Sequence, residues 1–440
     1  MNHAVQTSSV PEERWSSTPV GRGTILLAFA TFCFGFALAA HQNIVSNYFE
    51  DELGLQGPQF GYITAIREIP GFLLIFLTAL FFRISLPRIT FGALLLLAVG
   101  YGFFGLSDSF WTVAPWVIIS SIGYHTFLQT QGALGLSLAR QEHSGRILGK
   151  MSAINQCGAL VGMAIVFVTF QQGWISFNGM FVICGVMAAI AAIAIYSFPS
   201  LRDGVAHVDS QRRQPIVYRK EYRLYYLLSI LDGARQQIFF SFGLWVLINH
   251  YGMTVAQISA VLVVTTLAAI LLTPRIGRAL DTFGERQVLF YINIAFIIAL
   301  LGYALVSQVA AAAVCYVIYT FIAPLASMGA TVYLRKIAHS ADLAPSLAMG
   351  LTMQHAAAVV VPIVTGFILN YVGYQIPFLV ASAWMPVPRR PRGSGRRKSR
   401  IGFARRWPRA DEPGNFTGFS LMPGRSCSTL PSARRERDPR

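Results

Sequence analysis

The chain has 440 residues, 54% of them apolar and only 12% charged, with a mean hydropathy of +0.52. A soluble domain carries about a quarter charged residues, so this composition excludes an ordinary water-soluble globule and makes the bilayer the better solvent. The formal charge of +16 sits mostly in the tail: residues from Met385 onward hold 15 basic and 4 acidic side chains, against 20 and 15 before it, which leaves the body no basic face for nucleic acid.

The first 22 residues are polar and include Glu12, Glu13 and Pro19. They lack the short apolar core of a cleavable signal peptide, so the first span is expected to act as its own insertion signal. About 20 mostly apolar residues cross the hydrocarbon. On that measure the spans are predicted at 24–48, 59–82, 89–106, 112–138, 149–171, 175–198, 224–250, 255–274, 287–306, 309–334 and 344–371. Eighteen of the twenty basic residues before Met385 fall before the first span or in alternate gaps, among them Arg83, Arg88, Arg140, Arg146, Lys150, Arg202, Arg275, Arg335 and Lys336. The other gaps hold none, and the first of them carries Glu50, Asp51 and Glu52. This is the positive-inside pattern, and it predicts a cytoplasmic N-terminus and a multi-pass protein of the plasma (bacterial inner) membrane.

The twelfth segment, IPFLVASAWMPV, is short. Its eleven helical residues would rise about 16 Å, roughly half the hydrocarbon thickness. The chain then turns into Arg, Pro, Gly and Ser, a composition expected to be disordered from 385 to 440. Two readings stand for this tail: a basic segment that touches anionic lipid, or the product of a shifted reading frame near Trp384. The second is preferred, because the switch falls in mid-span.

The predicted organisation is a cytoplasmic tail (1–22), a first six-helix half (23–198), a central cytoplasmic loop (199–223), a second half with an incomplete last helix (224–384) and the basic tail (385–440). The halves repeat weakly. Gly132-Ala133, His143-Ser144 and Asn155-Gln156 recur as Gly329-Ala330, His339-Ser340 and Gln354-His355, and Ile63-Thr64-Ala65 as Ile258-Ser259-Ala260. A common offset of 195 to 199 residues suggests an internal duplication.

Between spans eight and nine the chain reads GRALDTFGER, from Gly277 through Arg278, Asp281 and Gly284 to Arg286. With twelve spans in two halves and a basic central loop, this stretch resembles the loop signature of the major facilitator superfamily. The stretches IREIPGF and YLRKIAHSADLAPSLAMGLTMQHAAAVVVPIVTG resemble a bacterial branch of it. The matching first-half loop, RISLPR, lacks the Asp and Gly. The resemblance implies an all-α polytopic fold on a twelve-helix plan and secondary transport with span seven lining a central cavity. In the signature itself, Asp281 beside Arg278 and Arg286 can tie two helix ends together in one state, with Gly277 and Gly284 allowing tight turns; a static loop cap is the alternative.

Charges at membrane depth cost about 2.5–3.5 kcal/mol each and default to functional hypotheses. Arg67 and Glu68 lie about 13 Å into span two. Neighbours on a helix point about 100° apart, so at least one is expected to reach another helix or a water-filled cavity. Glu68 is the candidate proton carrier, and a structural ion pair is the alternative. Asp232 and Arg235 share a face of span seven at spacing three, extended by Gln236 and Gln237. Arg235, near the midplane, could hold an anionic group of a solute; mutual neutralisation within the helix is the alternative. His125 with Gln129, and His355 with Gln354, are further mid-membrane candidates, each also readable as a structural core group. His41 and Gln42 are expected at the interface, and the aromatics Phe103, Phe104, Phe239 and Phe240 at lipid or in packing.

The cysteines show no metal or disulfide spacing. No P-loop, dinucleotide fingerprint or metal-spaced cluster appears, so no cofactor and no enzyme activity are expected. The reading is a monomeric secondary active transporter, ion- or proton-coupled, whose partners are a small solute and the lipid bilayer. The alternative is a non-transporting relic or a membrane-embedded partner protein. The frameshift reading makes a direct prediction: a neighbouring frame past Trp384 encodes about ten further apolar residues, the number needed to complete a span. Sequencing the gene across that junction checks it, and a frame without them overturns it.

Overall fold

A computed structural model describes residues 18–80, 84–138, 144–199, 218–283 and 285–383. The N-terminal tail, most of the central loop and everything from 384 onward lie outside the described residues, and with them the tail expectations. Twelve helical rods and no strands make up the described chain. They are α1 (Pro19–Asn47), α2 (Gly57–Leu80), α3 (Leu86–Gly102), α4 (Phe110–Ser137), α5 (Ser144–Gln171) and α6 (Phe177–Tyr196). Next come α7 (Arg223–Gln237, continuing as Ile238–Gly243 and Leu244–Asn249), α8 (Val255–Phe283), α9 (Glu285–Leu305), α10 (Val309–Ile337), α11 (Ser340–Tyr371) and α12 (Gln375–Ala383). Six of these helices are long and apolar enough to cross a membrane by length and composition alone, and α9 and α10 add shorter apolar stretches at Phe290–Leu305 and Val309–Ala323. The nine described residues of α12 rise about 14 Å, and the rest of the predicted twelfth segment, from Trp384 on, lies outside the described residues.

The helix starts obey capping chemistry. Thr18 Oγ1 accepts from Gly21 N at 3.1 Å, with Pro19 in the first turn of α1. Ser109 and Thr112 form a reciprocal capping box at α4. Thr112 Oγ1 also donates to Asp108 Oδ1 at 3.0 Å, and this hydroxyl holds the Asp108 carboxyl below the ordinary carboxylate range.

Two ends can be told apart by their connections. Tyr48 OH donates to Ser107 O (2.6 Å), Asn249 Nδ2 to Glu50 Oε1 (2.6 Å) and Tyr251 OH to Val306 O (2.7 Å), so the connections without Lys or Arg gather at one end, called here the acidic end. At the other, basic end Arg219 Nε meets Asp342 Oδ2 at 2.8 Å, and Tyr222 OH donates to the same carboxylate at 3.2 Å. The alternation read from the sequence is therefore present in three dimensions.

The acidic end shows the duplication again. Its turns contain four glycines with positive φ, Gly54 (58°), Gly173 (66°), Gly252 (65°) and Gly373 (125°), a region that costs other residues strain. Gly54 after α1 matches Gly252 after α7, and Gly173 after α5 matches Gly373 after α11, at offsets close to those of the sequence repeats. Corresponding turns in the two halves thus use the same device.

The halves touch along two seams. In one, α2 and α11 run antiparallel, and a Cβ added at Gly61 would stand 2.5 Å from Pro362 O, one at Gly366 2.3 Å from Gly57 O. The Gly57–Gly61 spacing is the small-residue pattern that lets helix backbones approach in lipid. In the other, α5 and α8 meet at Met163 and Thr266. The acidic end is fastened further by Asn47 Nδ2 to Met253 O (3.2 Å), Ser259 Oγ to Asn43 Oδ1 (3.0 Å), and Phe60 packed between Phe242 and Trp245. Among the described residues, the side-chain hydrogen bonds that cross between halves lie at the acidic end or at mid-helix.

The predicted loop signature is largely helical. Gly277, Arg278 and Asp281 lie within α8, which runs on to Phe283, and Arg286 lies in α9. Gly277 therefore makes no turn here; the polar sequence continues the helix beyond its apolar part. Gly284 and the side chains of Arg278, Asp281 and Arg286 are outside the described set.

The α2–α11 approach yields a test. Gly61→Val should destabilise the detergent-solubilised chain by about 1–3 kcal/mol, the usual cost of overpacking. Gly92→Ala, where a Cβ meets nothing within 4 Å, should leave the thermal midpoint unchanged; equal midpoints for both variants would show that the seam tolerates side chains.

A candidate polar site between the two halves

The site is a layer of polar side chains at mid-height, in two clusters joined by α11. The first is built on α2, α4 and α11. Arg67 folds back on its neighbour, with Nε and Nη2 3.3 and 3.2 Å from Glu68 Oε1. The long guanidinium arm spans the angle between the two neighbours but takes only one carboxylate oxygen, so they do not satisfy each other fully. As expected, Glu68 reaches another helix: its Oε2 faces His355 Nδ1 on α11 at 3.8 Å, across the seam. Glu68 is 9% exposed, whereas the Arg67 side chain remains 42% exposed.

His125 stands beside this pair, its ring 5.9 Å from that of His355. Its Nδ1 lies 3.0 Å from both Ser121 O and Ser121 Oγ. A carbonyl only accepts, so Nδ1 carries the proton and Nε2 keeps its lone pair. The Ser121 hydroxyl in turn donates to Arg67 O, locking α4 to α2. Gly71, one turn beyond Glu68, makes room for the ring, since a Cβ there would lie 2.6 Å from His125 Nε2. Gln129 is exposed and joins no described contact with this group.

The second cluster is built on α7, α9, α10 and α11. Arg235 is 5% exposed and bonds Asp232 within its own helix. Its Nη1 donates to Tyr319 OH at 2.8 Å, and Tyr319 OH donates back to Arg235 O at 3.2 Å. The guanidinium carbon sits 4.5 Å over the Phe296 ring, a cation–π contact worth about 2 kcal/mol when desolvated. Asp232 Oδ2 accepts from Gln236 Nε2 at 3.0 Å and from Gln354 Nε2 at 3.1 Å. Gln354 and His355 are consecutive on α11, so this helix reaches both clusters. The described contacts of Arg235 all stay within the last six helices, which favours the intra-helix pair over a free anion receptor.

Tyr319, Phe296 and Ser121 carry no mark in the sequence. Aromatics and serines recur on every span, and nothing in their spacing distinguishes the few that meet a charge. His41 is buried rather than interfacial, stacked on Tyr101 at 3.9 Å with Phe104 edge-on. Neighbouring aromatics divide in the same way: Phe104 and Phe239 are buried, Phe103 and Phe240 exposed.

Compensation of the buried guanidinium predicts a non-additive pair. Asp232→Ala alone should cost about 3–5 kcal/mol of stability by leaving Arg235 unpaired, while the double variant with Arg235→Met should recover most of it. Thermal unfolding of the four proteins in detergent measures the cycle, and additive losses would show the two side chains to be independent.

The family model for the Major Facilitator Superfamily matches residues 27–225 and 224–387. No curated protein matches the chain by sequence. Among solved structures, the nucleoside transporter NupG superposes with a TM-score of 0.69 at 14% identity, covering 82% of this chain and 96% of that one. A bacterial homolog of the human lysosomal transporter Spinster, in an inward-facing and occupied conformation, gives 0.62 at 15% identity over 80% and 83%. A POT family transporter in complex with a thioalcohol-conjugated peptide gives 0.62 at 15% identity over 82% and 93%. At these identities the structural likeness speaks for the fold, and with the sequence match over most of its length the chain is a multi-pass membrane transporter that belongs to the major facilitator superfamily.

Proposed function

We propose that this chain is a secondary active transporter that moves a small polar solute across the plasma (bacterial inner) membrane by alternating access, driven by an ion or proton gradient. The observation that carries the reading is the position of the inter-half contacts. The halves are fastened at the acidic end and meet through Glu68 and His355 at mid-height, while the described bonds at the basic end stay within the last helices and their connector. Rocking about such a seam exposes a mid-membrane site to one side at a time. With the basic end and the N-terminus in the cytoplasm, as the positive-inside pattern supports, the fastened acidic end faces outward.

The charges of the layer balance. Arg67 faces Glu68 and Arg235 faces Asp232, so a solute without net charge fits better than an anion. Gln236, Gln354 and His355 supply hydrogen-bonding groups for it. The nucleoside and peptide names of the structural neighbours support a polar solute of modest size. The chain is proposed to work as a monomer. A second reading, a non-transporting relic or membrane-embedded partner, is favoured by the change of composition after Trp384.

The test begins with a thermal-shift screen of detergent-purified protein against small polar solutes, since a ligand that binds the folded state raises its midpoint. A hit should show counterflow in proteoliposomes. Arg235→Ala should abolish that counterflow while insertion and helix content survive, and Arg235→Lys, which keeps the charge but not the planar fork, should retain part of it. Normal counterflow by Arg235→Ala would remove the layer from the mechanism, and no counterflow for any hit would favour the non-transporting reading.

A further inference from the structure

We propose that the Glu68 carboxylate and the imidazoles of His125 and His355 form a binding site for a divalent transition-metal cation such as Zn²⁺ or Co²⁺, and that the bound ion pins α2 and α4 to α11. One ligand atom from each residue lies within 4.8 Å of the other two. At metal–ligand distances of about 2.0–2.1 Å, tetrahedral ligands stand roughly 3.4 Å apart. The group must therefore close by up to about 1.4 Å, within the reach of side-chain rotations. Two imidazoles and one carboxylate, with a fourth position left open, are a donor set suited to zinc and cobalt. Calcium and magnesium require six or more oxygens, and this cluster offers one carboxylate.

Each residue keeps a lone pair for an ion. Nδ1 of His125 is held as the protonated nitrogen by Ser121 O, which leaves Nε2 as the donor on the α2 side, beside Gly71. Among the described residues Nε2 has no hydrogen-bond partner. Arg67 uses Oε1 of Glu68 and leaves Oε2 facing His355. A backbone carbonyl on the far nitrogen of a ligating histidine is the usual outer-shell arrangement, and it fixes both tautomer and ring orientation. The positive charge of Arg67 opposes a cation nearby, but its guanidinium is turned to Oε1 of Glu68, away from the oxygen that faces His355.

Two of the ligands come from the first six helices and one from the last six, so occupancy would resist the separation of the halves. The site is independent of the transport reading, because binding can be measured without a gradient or a solute. The full chain, purified in detergent without a histidine tag, is titrated with Co²⁺ and monitored by the visible d–d absorption of cobalt bound to imidazole. One equivalent is expected to bind and to be displaced by Zn²⁺. Ser121→Ala keeps the backbone carbonyl that holds His125 Nδ1 and deletes only the hydroxyl, so it should weaken binding by less than about tenfold, the low end of the loss of an outer-shell partner. His125→Ala, His355→Ala and the isosteric Glu68→Gln should each weaken it by more than about a hundredfold. His250→Ala, at the acidic end, should leave the titration unchanged. Circular dichroism and monodisperse elution establish that each variant is folded. Absence of the cobalt band in the folded wild-type chain, or a band indifferent to His355→Ala, overturns the site even if transport is found. A chain that binds cobalt yet moves no solute keeps the site and loses the transport reading.

Discussion

The distance between α2 and α11 governs what the rest of the molecule can do. In lipid no hydrophobic force draws two apolar helices together, so their separation is set by the side chains that stand between them. Gly57, Gly61 and Gly366 remove those side chains at one end of the pair, and backbone atoms come into contact. The same antiparallel register, carried toward mid-height, brings Glu68 opposite His355. Larger residues at the glycine positions would widen the whole seam and leave a carboxylate facing hydrocarbon. A packing choice at the helix ends therefore sets the electrostatics at the centre.

Each charge near the centre is compensated locally, and the compensation decides what is left for a ligand. Arg235 has a carboxylate, a phenol and an aromatic face, all from helices of the last half. Asp232 is further satisfied by two amides, one of which arrives on α11. The Glu68 group is less complete: one carboxylate oxygen is taken by Arg67, while the other faces a histidine on the opposite half at a distance too long for a strong hydrogen bond. The Arg235 cluster braces a half; the Glu68 cluster spans the two. Of the two clusters, only the spanning one draws its partners from both halves.

Much of this architecture is legible in the sequence alone. Alternating basic gaps locate the helices and sort their connections into two ends, because charge in short loops is the strongest constraint on threading. Asp232 and Arg235 are legible as a pair because spacing three places them on one helix face. The reach of Arg67 back to Glu68 is not, since helical angle alone neglects the length of the guanidinium arm. Tyr319, Ser121 and Gly71 are invisible for a different reason: their roles depend on which helix stands opposite, and residues of those types recur on every span. His41 looks interfacial by depth, but its ring is enclosed by Tyr101 and Phe104, contacts that one helix considered alone does not reveal. The loop signature reads as turns, yet polar sequence past the end of an apolar span can simply extend the helix into water.

The wide turn at Ile238–Gly243 separates two tasks within one rod. Below it, α7 presents Asp232, Arg235 and Gln236; above it, Phe242 and Trp245 pack on Phe60, and Asn249 reaches Glu50. A π-type turn accommodates one residue more than an α turn, and each residue rotates the remainder of the helix by about 100°. Were that surplus residue absent, the aromatic and amide contacts of the upper segment would swing away from the opposing half while the charged cluster stayed in place. The surplus residue thus sets the phase between the polar face of α7 and the aromatic face that meets the opposing half, letting each keep its own azimuth on a single continuous rod.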